Sequence, residues 1–265
     1  MTATTNGRFE GMIALVTGGG SGIGSAVVRQ LDRERCAAIY VADVNEVGAR
    51  TVAAATRSGR PAALDVTVAG AVEAQVGRIV ETHGRLDVVV NTAGVDDPRA
   101  KERILAAQQS GEPLDVFRHL KDEQWRRVMA VNLDGSFHVL RAAVRAMIPA
   151  GRGAVVLVGS SAAFDTLAGY AHYAASKAGV HALAQSVAKE AAAFGVRVNV
   201  VAPGPVDTPM AARTPAAVRQ AMEASGPVGY ASPEELADNI LYLASPDASN
   251  VVGAVLLSNG GRFTV

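Results

Sequence analysis

The chain has one cysteine in 265 residues, Cys36, which rules out an internal disulfide and any cysteine-cluster metal site. The thiol reads as a small core residue at the entry to a strand rather than a reactive group. Neither sign of charge is in excess: Lys+Arg and Asp+Glu are 25 each, so nothing draws the protein to nucleic acid or to an anionic membrane surface. No apolar run reaches membrane-spanning length, and the first ten residues lack the apolar stretch of a signal peptide. A soluble cytoplasmic protein without a metal site is therefore expected. Repeats, linkers and composition breaks are also missing, so residues 1–265 read as one domain.

What is present is alternation. Apolar runs at 12–16, 37–42, 62–66, 86–90, 154–158, 196–201 and 251–257 read as seven buried strands separated by helical segments. That pattern predicts an α/β Rossmann fold, a three-layer α/β/α sandwich around a mostly parallel seven-stranded sheet.

The first run leads into Thr17-Gly-Gly-Gly-Ser-Gly-Ile-Gly24 and then a helical period from Ser25. Glycines allow positive φ and close approach of the backbone to a ligand, and the helix N-terminus behind them offers free N–H groups, which together suit a pyrophosphate. The second strand ends in Asp43, where a Rossmann unit bonds the adenosine ribose hydroxyls. A carboxylate there repels a 2′-phosphate, and neither Ser21 nor Val44 supplies a compensating cation, so NAD is favoured over NADP. Asp65, after Arg60-Pro61, is a candidate for the adenine amino group or a helix cap, and Asn91-Thr-Ala-Gly94 closes the fourth strand with small residues beside which a flat ring fits.

From Ser160 to Lys177 the chain carries a hydroxyl at the carboxyl edge of the sheet, then Tyr173 and Lys177 four residues apart in an alanine-rich segment running to Gly195. On a helix that spacing stacks phenol and ammonium on one face, and a neighbouring cation lowers a phenol's pKa from its ordinary value of about 10. Asn132, polar among apolar neighbours, either supports a helix kink and a bound water or caps a break.

Two stretches are less regular. Residues 95–123 are rich in charge around Gly111-Glu-Pro113 and predict one or two short amphipathic helices over the site, at a subunit contact, or simply in solvent. Residues 208–229, after the rigid Pro203-Gly204-Pro205 turn, have the mixed polarity of a mobile substrate flap, with Met210, Val218 and Met222 as apolar contacts. Ser232-Pro-Glu-Glu opens the next helix with an N-cap and N1 proline.

In these motifs, taken in order, the chain resembles the short-chain dehydrogenase/reductase family in its shorter, single-domain branch over nearly its whole length. Thr17 to Gly24 is similar to that family's Thr-Gly-x-x-x-Gly-x-Gly loop, Asn91-Thr-Ala-Gly94 to its Asn-Asn-Ala-Gly with Thr92 departing, and Pro203-Gly204 with Thr208 to its nicotinamide loop. Asn132, Ser160, Tyr173 and Lys177 fall in the order of the family's catalytic tetrad, and the step of thirteen to Tyr173 selects Ser160 over Ser161. Asn259-Gly-Gly stands where Asp-Gly-Gly is commoner, and 95–123 looks longer than usual.

The resemblance implies a secondary alcohol or ketone substrate. Tyr173 is then the acid/base, Ser160 holds the substrate oxygen, Lys177 serves ribose and phenol, and Asn132 supports a water. It implies a cofactor site of Gly18, Ser21, Gly22, Ile23, Gly24, Asp43, Asp65, Val66, Asn91, Ala93, Gly94, Tyr173, Lys177, Pro203, Gly204, Val206 and Thr208. Substrate contacts fall to Ser160, Tyr173, Val95, Pro205 and Met210, with Asp96, Phe164, Tyr170 and His172 as further pocket candidates. A homotetramer or homodimer through the Asn132 and Tyr173 helices is the family's expectation. The rivals are an NADPH-dependent 3-oxoacyl-type reductase and a nucleotide-sensing scaffold without catalysis.

Overall fold

The computed structural model describes residues 7–166, 168–214, 216–224 and 226–265, and leaves the side chains of Ala217, Ala221 and Met222 undescribed. Met222 as a substrate contact and the reading of the first six residues therefore lie outside the described residues.

Seven strands, β1 (Ile13–Thr17), β2 (Ala38–Asp43), β3 (Gly59–Ala63), β4 (Val88–Asn91), β5 (Gly153–Val158), β6 (Val196–Pro203) and β7 (Val255–Ser258), form one sheet in the order β3-β2-β1-β4-β5-β6-β7. Every neighbouring pair is parallel, more uniform than the mostly parallel sheet expected. Strand order reverses between β1 and β4, and such a switch point opens the crevice at the carboxyl ends where α/β sheets take ligands.

The helices are α1 (Gly22–Arg33), α2 (Glu46–Ala54), α3 (Ala69–His83), α4 (Pro98–Ser110), α5 (Asp122–Met129), α6 (Gly135–Met147), α7 (Ala171–Ala191), α8 (Pro209–Ala212), α9 (Ala216–Ala224) and α10 (Pro233–Ala244). Successive strand residues face opposite sides, so Ile13 and Leu15 pack with Val72, Ile79, Leu140 and Val180 of α3, α6 and α7. Ala14 and Val16 pack with Val27, Leu31, Ile240 and Leu241 of α1 and α10. The valine, leucine and isoleucine side chains among these each stabilise the fold by roughly 1.5–3 kcal/mol relative to exposure, which makes the sheet a rigid base for the loops above it.

Two strand boundaries differ from the sequence reading. β3 runs over 59–63 and not 62–66, and contains Pro61. It is an edge strand bonded only to β2, so a residue without an N–H is tolerated there. β7 starts at Val255 and not Val251, because Val251 accepts from Asn199 Nδ2 and Gly253 turns with φ 72° before the ladder begins. Helix signals were more legible. Ser232 caps α10 by accepting from Glu235 N at 3.2 Å, with Pro233 at N1, and α7 passes through a 3-10 turn to end on left-handed Gly195.

Candidate active site

The glycine loop joins β1 to α1 as expected, and its geometry explains its composition. A Cβ at Gly18 would stand 2.7 Å from Ala93 N, and one at Gly24 2.2 Å from Gly18 O, so no larger residue fits at either position. Ser21 is the exposed N-cap residue of α1, Gly22 has φ 50°, and Ile23 packs on the core beneath. A Cβ at Gly20 would come within 2.9 Å of the Asp43 carboxylate, which lies against the loop. Asp43 Oδ2 accepts from Gly20 N and Oδ1 from Asn45 N, each at 2.9 Å, and each oxygen keeps a further lone pair for a ribose hydroxyl. The bare backbone, helix N-terminus and carboxylate fit a nicotinamide dinucleotide.

The other proposed cofactor residues fall at the same edge with varied fates. Asp65 is exposed and accepts from Thr67 N at 2.9 Å, one turn ahead of α3, whose N-cap residue is Val68. Val66 is buried with its carbonyl on His138 Nδ1. Asn91 spends its amide inside the protein, accepting from Thr17 Oγ1 and donating to Ser136 Oγ, so it ties β4 to β1 and α6. Thr92, the departure from the family's pattern, donates its hydroxyl to Thr17 O at 2.7 Å. Ala93 and Gly94 follow, and a Cβ on Gly94 would lie 3.4 Å from Asn132 Oδ1 and 3.5 Å from Lys177 Nζ. Pro203 ends β6, Gly204 abuts Asn259, Val206 bridges to Ala231, and Thr208 caps α8 by accepting from Ala211 N. Asn259 donates its amide to Phe263 O at 2.9 Å, which an ionised aspartate in its place could not do.

Asn132 is wholly buried in a π-helical turn, Ala130–Asp134, between α5 and α6. The widened turn aims the Asn132 amide at Val95, accepting from its N at 2.8 Å and donating to its O at 3.0 Å, and at Ser176 Oγ, 3.1 Å away, so Asn132 ties two segments together instead of capping a break. Ser160 emerges at the end of β5, 8% exposed, with Oγ accepting from Ala162 N and close enough to the Tyr173 phenol to lower its pKa. Lys177, one turn along α7, is 5% exposed and donates to Val158 O at 2.8 Å, with Nζ 5.9 Å from the Tyr173 ring centre.

The pKa of Tyr173 moves against expectation. Burial pushes it up and outweighs the Ser160 hydrogen bond, and the Asp96 charge adds to the rise. The Lys177 ammonium is turned to the Val158 carbonyl, and its own pKa is pushed down to about 8 by burial. Burial thus moves the two pKa values toward each other, the phenol up and the ammonium down.

The 95–123 stretch is rooted in the site and is no detached excursion. Asp96, 5% exposed, pairs with Lys101 at 2.6 Å and Arg213 at 2.9 Å, and Lys101 also reaches Met210 O and Thr214 Oγ1. The 208–229 flap thus contains two helical segments, α8 and α9, and Met210, Arg213 and Thr214, on and just after α8, tie it to Asp96 and to Lys101 of α4. Asp97 caps α4 and accepts from Gln124 Nε2 and from His172 Nε2 at 3.1 Å, so His172 is a buried strut, absent from any substrate surface. Tyr170 packs on Ala100, Ile104 and Val116, while Val95, Pro205 and Met210 are half-buried around the mouth and Phe164 is more exposed.

One residue near the site was missed. His181, two turns beyond Tyr173 on the same face of α7, accepts the Ser160 backbone N–H on Nε2 at 3.3 Å and packs against Phe164 with ring centres 5.1 Å apart. The only signal for it was the spacing of Tyr173, Lys177 and His181 at i, i+4 and i+8.

A dinucleotide cradle beside a tyrosine, serine and lysine is the arrangement of a nicotinamide-dependent oxidoreductase. Comparison with known proteins agrees. The family model described as short chain dehydrogenase matches residues 12–219. Similar curated proteins include cis-4-hydroxycyclohexanecarboxylate dehydrogenase of Sinomonas cyclohexanicum, 43% identical over 97% of this chain and 98% of that one. The 3-oxoacyl-[acyl-carrier-protein] reductase FabG of Vibrio cholerae serotype O1 is 34% identical over 97% and 100%. Among solved structures, gox2181 superposes with TM-score 0.84 at 29% identity over 97% and 98% of the chains. One named as ribose-5-phosphate isomerase of Brucella melitensis 16M gives 0.87 at 31% over 97% and 94%. That isomerase name and the dehydrogenase names share one backbone, and fold likeness does not choose between chemistries. The chain belongs to the short-chain dehydrogenase family, as an oxidoreductase acting on hydroxyl and keto groups.

Among the described residues no helix is long and apolar enough to cross a membrane, and no three metal-binding side chains gather to hold an ion.

Proposed function

We propose that this chain is an NAD(H)-dependent dehydrogenase that interconverts a secondary alcohol and a ketone, working as one nucleotide-binding unit over residues 1–265. The observation that carries the reading is the meeting of Ser160, Tyr173, Lys177 and Asn132 at the carboxyl ends of β4 and β5, beside a glycine cradle closed by Asp43. Bound NAD supplies the hydride acceptor or donor. Tyr173 moves the proton of the substrate oxygen: it gives it in ketone reduction and takes it in alcohol oxidation. Ser160 donates a hydrogen bond to that oxygen and steadies its developing charge. Lys177, anchored on Val158 O, holds the ribose hydroxyls, and Asn132 fixes Val95 and Ser176 around them.

Asp43 supports NAD over NADP. The named 3-oxoacyl reductases favour the second reading, an NADPH-dependent reductase of acyl substrates, and paired rates with NADH and NADPH decide between them. For the substrate, the 43%-identical relative is named for a ring alcohol bearing a carboxylate, and Arg213, half-exposed while it shares Asp96 with Lys101, leaves part of its guanidinium open to such a group. A ring hydroxycarboxylate is the substrate class we assign. We further propose a homotetramer or homodimer through α6 and α7, where Phe137 stands 40% exposed, and a cytoplasmic location. The test is an absorbance screen of secondary alcohols and ketones with NAD(H), each ring hydroxycarboxylate paired with its uncharged cyclohexanol. A clear preference for the charged member is expected, and equal rates remove the carboxylate assignment.

A further inference from the structure

The ladder between β5 and β6 ends at Val158↔Val201, and Gly159 N still reaches Val201 O at 2.8 Å. The next backbone N–H, that of Ser160, has left the sheet, and a buried donor needs an acceptor. His181 Nε2 provides it at 3.3 Å, in a buried setting. One turn earlier on the same face of α7, Lys177 donates to Val158 O at 2.8 Å. Helix α7 thus grips the end of β5 at two points of opposite polarity on either side of Gly159. The grip explains that glycine: a Cβ there would stand 2.1 Å from His181 Nε2 and 2.8 Å from Val200 Cγ1. Burial and the Lys177 charge push the imidazole down to about 4, so at neutral pH it carries no charge and its proton belongs on Nδ1, with Nε2 bare to accept. Its ring also backs Phe164, fixing the turn that follows Ser160.

We infer that His181 is a positioning residue, holding the Ser160 backbone through Nε2 so that the serine hydroxyl faces Tyr173 and the substrate oxygen. It touches neither substrate nor cofactor, and its action on catalysis runs through Ser160. This inference rests on the dehydrogenase reading above.

The experiment combines kinetics and nitrogen NMR on the full chain. His181→Leu, which keeps bulk and removes the acceptor, lowers kcat by about 10- to 100-fold with KM changed by less than about threefold, since a buried donor is left unpaired next to the catalytic hydroxyl. His181→Gln, whose amide oxygen can reach the Nε2 position, restores most of the rate. In a Ser160→Ala background His181→Leu adds little, because both changes remove one function. Full additivity in that background, or no rescue by Gln in a folded variant, overturns the proposal. Should the leucine variant fail to fold, 15N-labelled wild type decides: the His181 ring is neutral with Nδ1 protonated, and a proton on Nε2 overturns the assignment. That spectrum needs no turnover, so failure of the dehydrogenase reading, seen as a wild type inert toward every alcohol and ketone, stays distinct from failure of this one.

Discussion

Replacing Asp43 by serine probes the proposed preference for NAD at the residue on which that proposal rests. The carboxylate lies against the glycine loop, bonded to Gly20 N and Asn45 N at 2.9 Å each, half-buried at the end of β2. On the proposed reading, a phosphate in place of the ribose 2′-hydroxyl would meet this charge nearly in contact. Two like unit charges about 4 Å apart repel by about 4 kcal/mol at the dielectric of a protein surface, and partial exposure leaves about half of that. The wild type should then prefer NAD to NADP by about 30-fold in kcat/KM. Serine keeps an acceptor for the loop amides and drops the charge. NADP turnover is expected to rise about 30-fold, while NAD turnover falls about 10-fold through loss of charge-assisted bonds to the ribose. Initial rates with both cofactors, read from nicotinamide absorbance, measure the ratio. A wild type equally fast with NADP, or a serine variant with an unchanged ratio, refutes the electrostatic account.

Other consequences concern the loop, pH and stability. Gly24→Ala forces a methyl to 2.2 Å from Gly18 O, and NAD affinity measured by fluorescence titration should fall at least about 10-fold, the effect of roughly 1–3 kcal/mol of overpacking. Because burial raises the Tyr173 pKa, ketone reduction should run well at neutral pH, whereas alcohol oxidation should climb with pH on the alkaline side. A flat oxidation profile contradicts this. His181 has its folded pKa lowered to about 4, so the unfolded chain binds the extra proton between about 6.5 and 4 and stability is lost as pH falls through that window. Urea unfolding should show the wild type losing about 2–3 kcal/mol relative to His181→Gln over that range. Arg197 donates to the carbonyls of Leu243, Ala244, Ser245 and Ala248 at the end of α10, and Arg197→Met should cost about 3 kcal/mol, lowering Tm by roughly 6–10 °C.

Much of this architecture was written in local signals. The run before Thr17, the glycines after it and the helical period from Ser25 fixed β1, its loop and α1, since each residue type answers a local backbone demand. Helix periodicity stacked Tyr173 with Lys177 and the end of a strand brought out Ser160, whereas Asn132 joined them only through the resemblance to the family's tetrad. What escaped depended on long-range neighbours. Arg60-Pro61 read as a break ahead of a strand at 62–66, yet both lie inside β3, an edge strand where a missing N–H costs no ladder bond. For the charged residues from Asp96 to Lys101, local pattern left a place over the site, a subunit contact and solvent equally open, because their partners, Arg213 and Met210, lie over a hundred positions away. The Tyr173 pKa was read from the cation beside it and missed the larger effect of burial, a property of packing rather than of spacing. His181 gave no cue in isolation, because its task is set by where the β5 ladder ends.

The central claim is that Tyr173 carries the proton during hydride transfer. Its most direct test is a single-turnover comparison of the wild type with Tyr173→Phe, on the alcohol or ketone found by screening, with NAD(H) binding measured in parallel. The account predicts that the phenylalanine variant binds NAD(H) as the wild type does and loses at least about 100-fold in the chemical step. Retention of most of that rate with cofactor bound would contradict it.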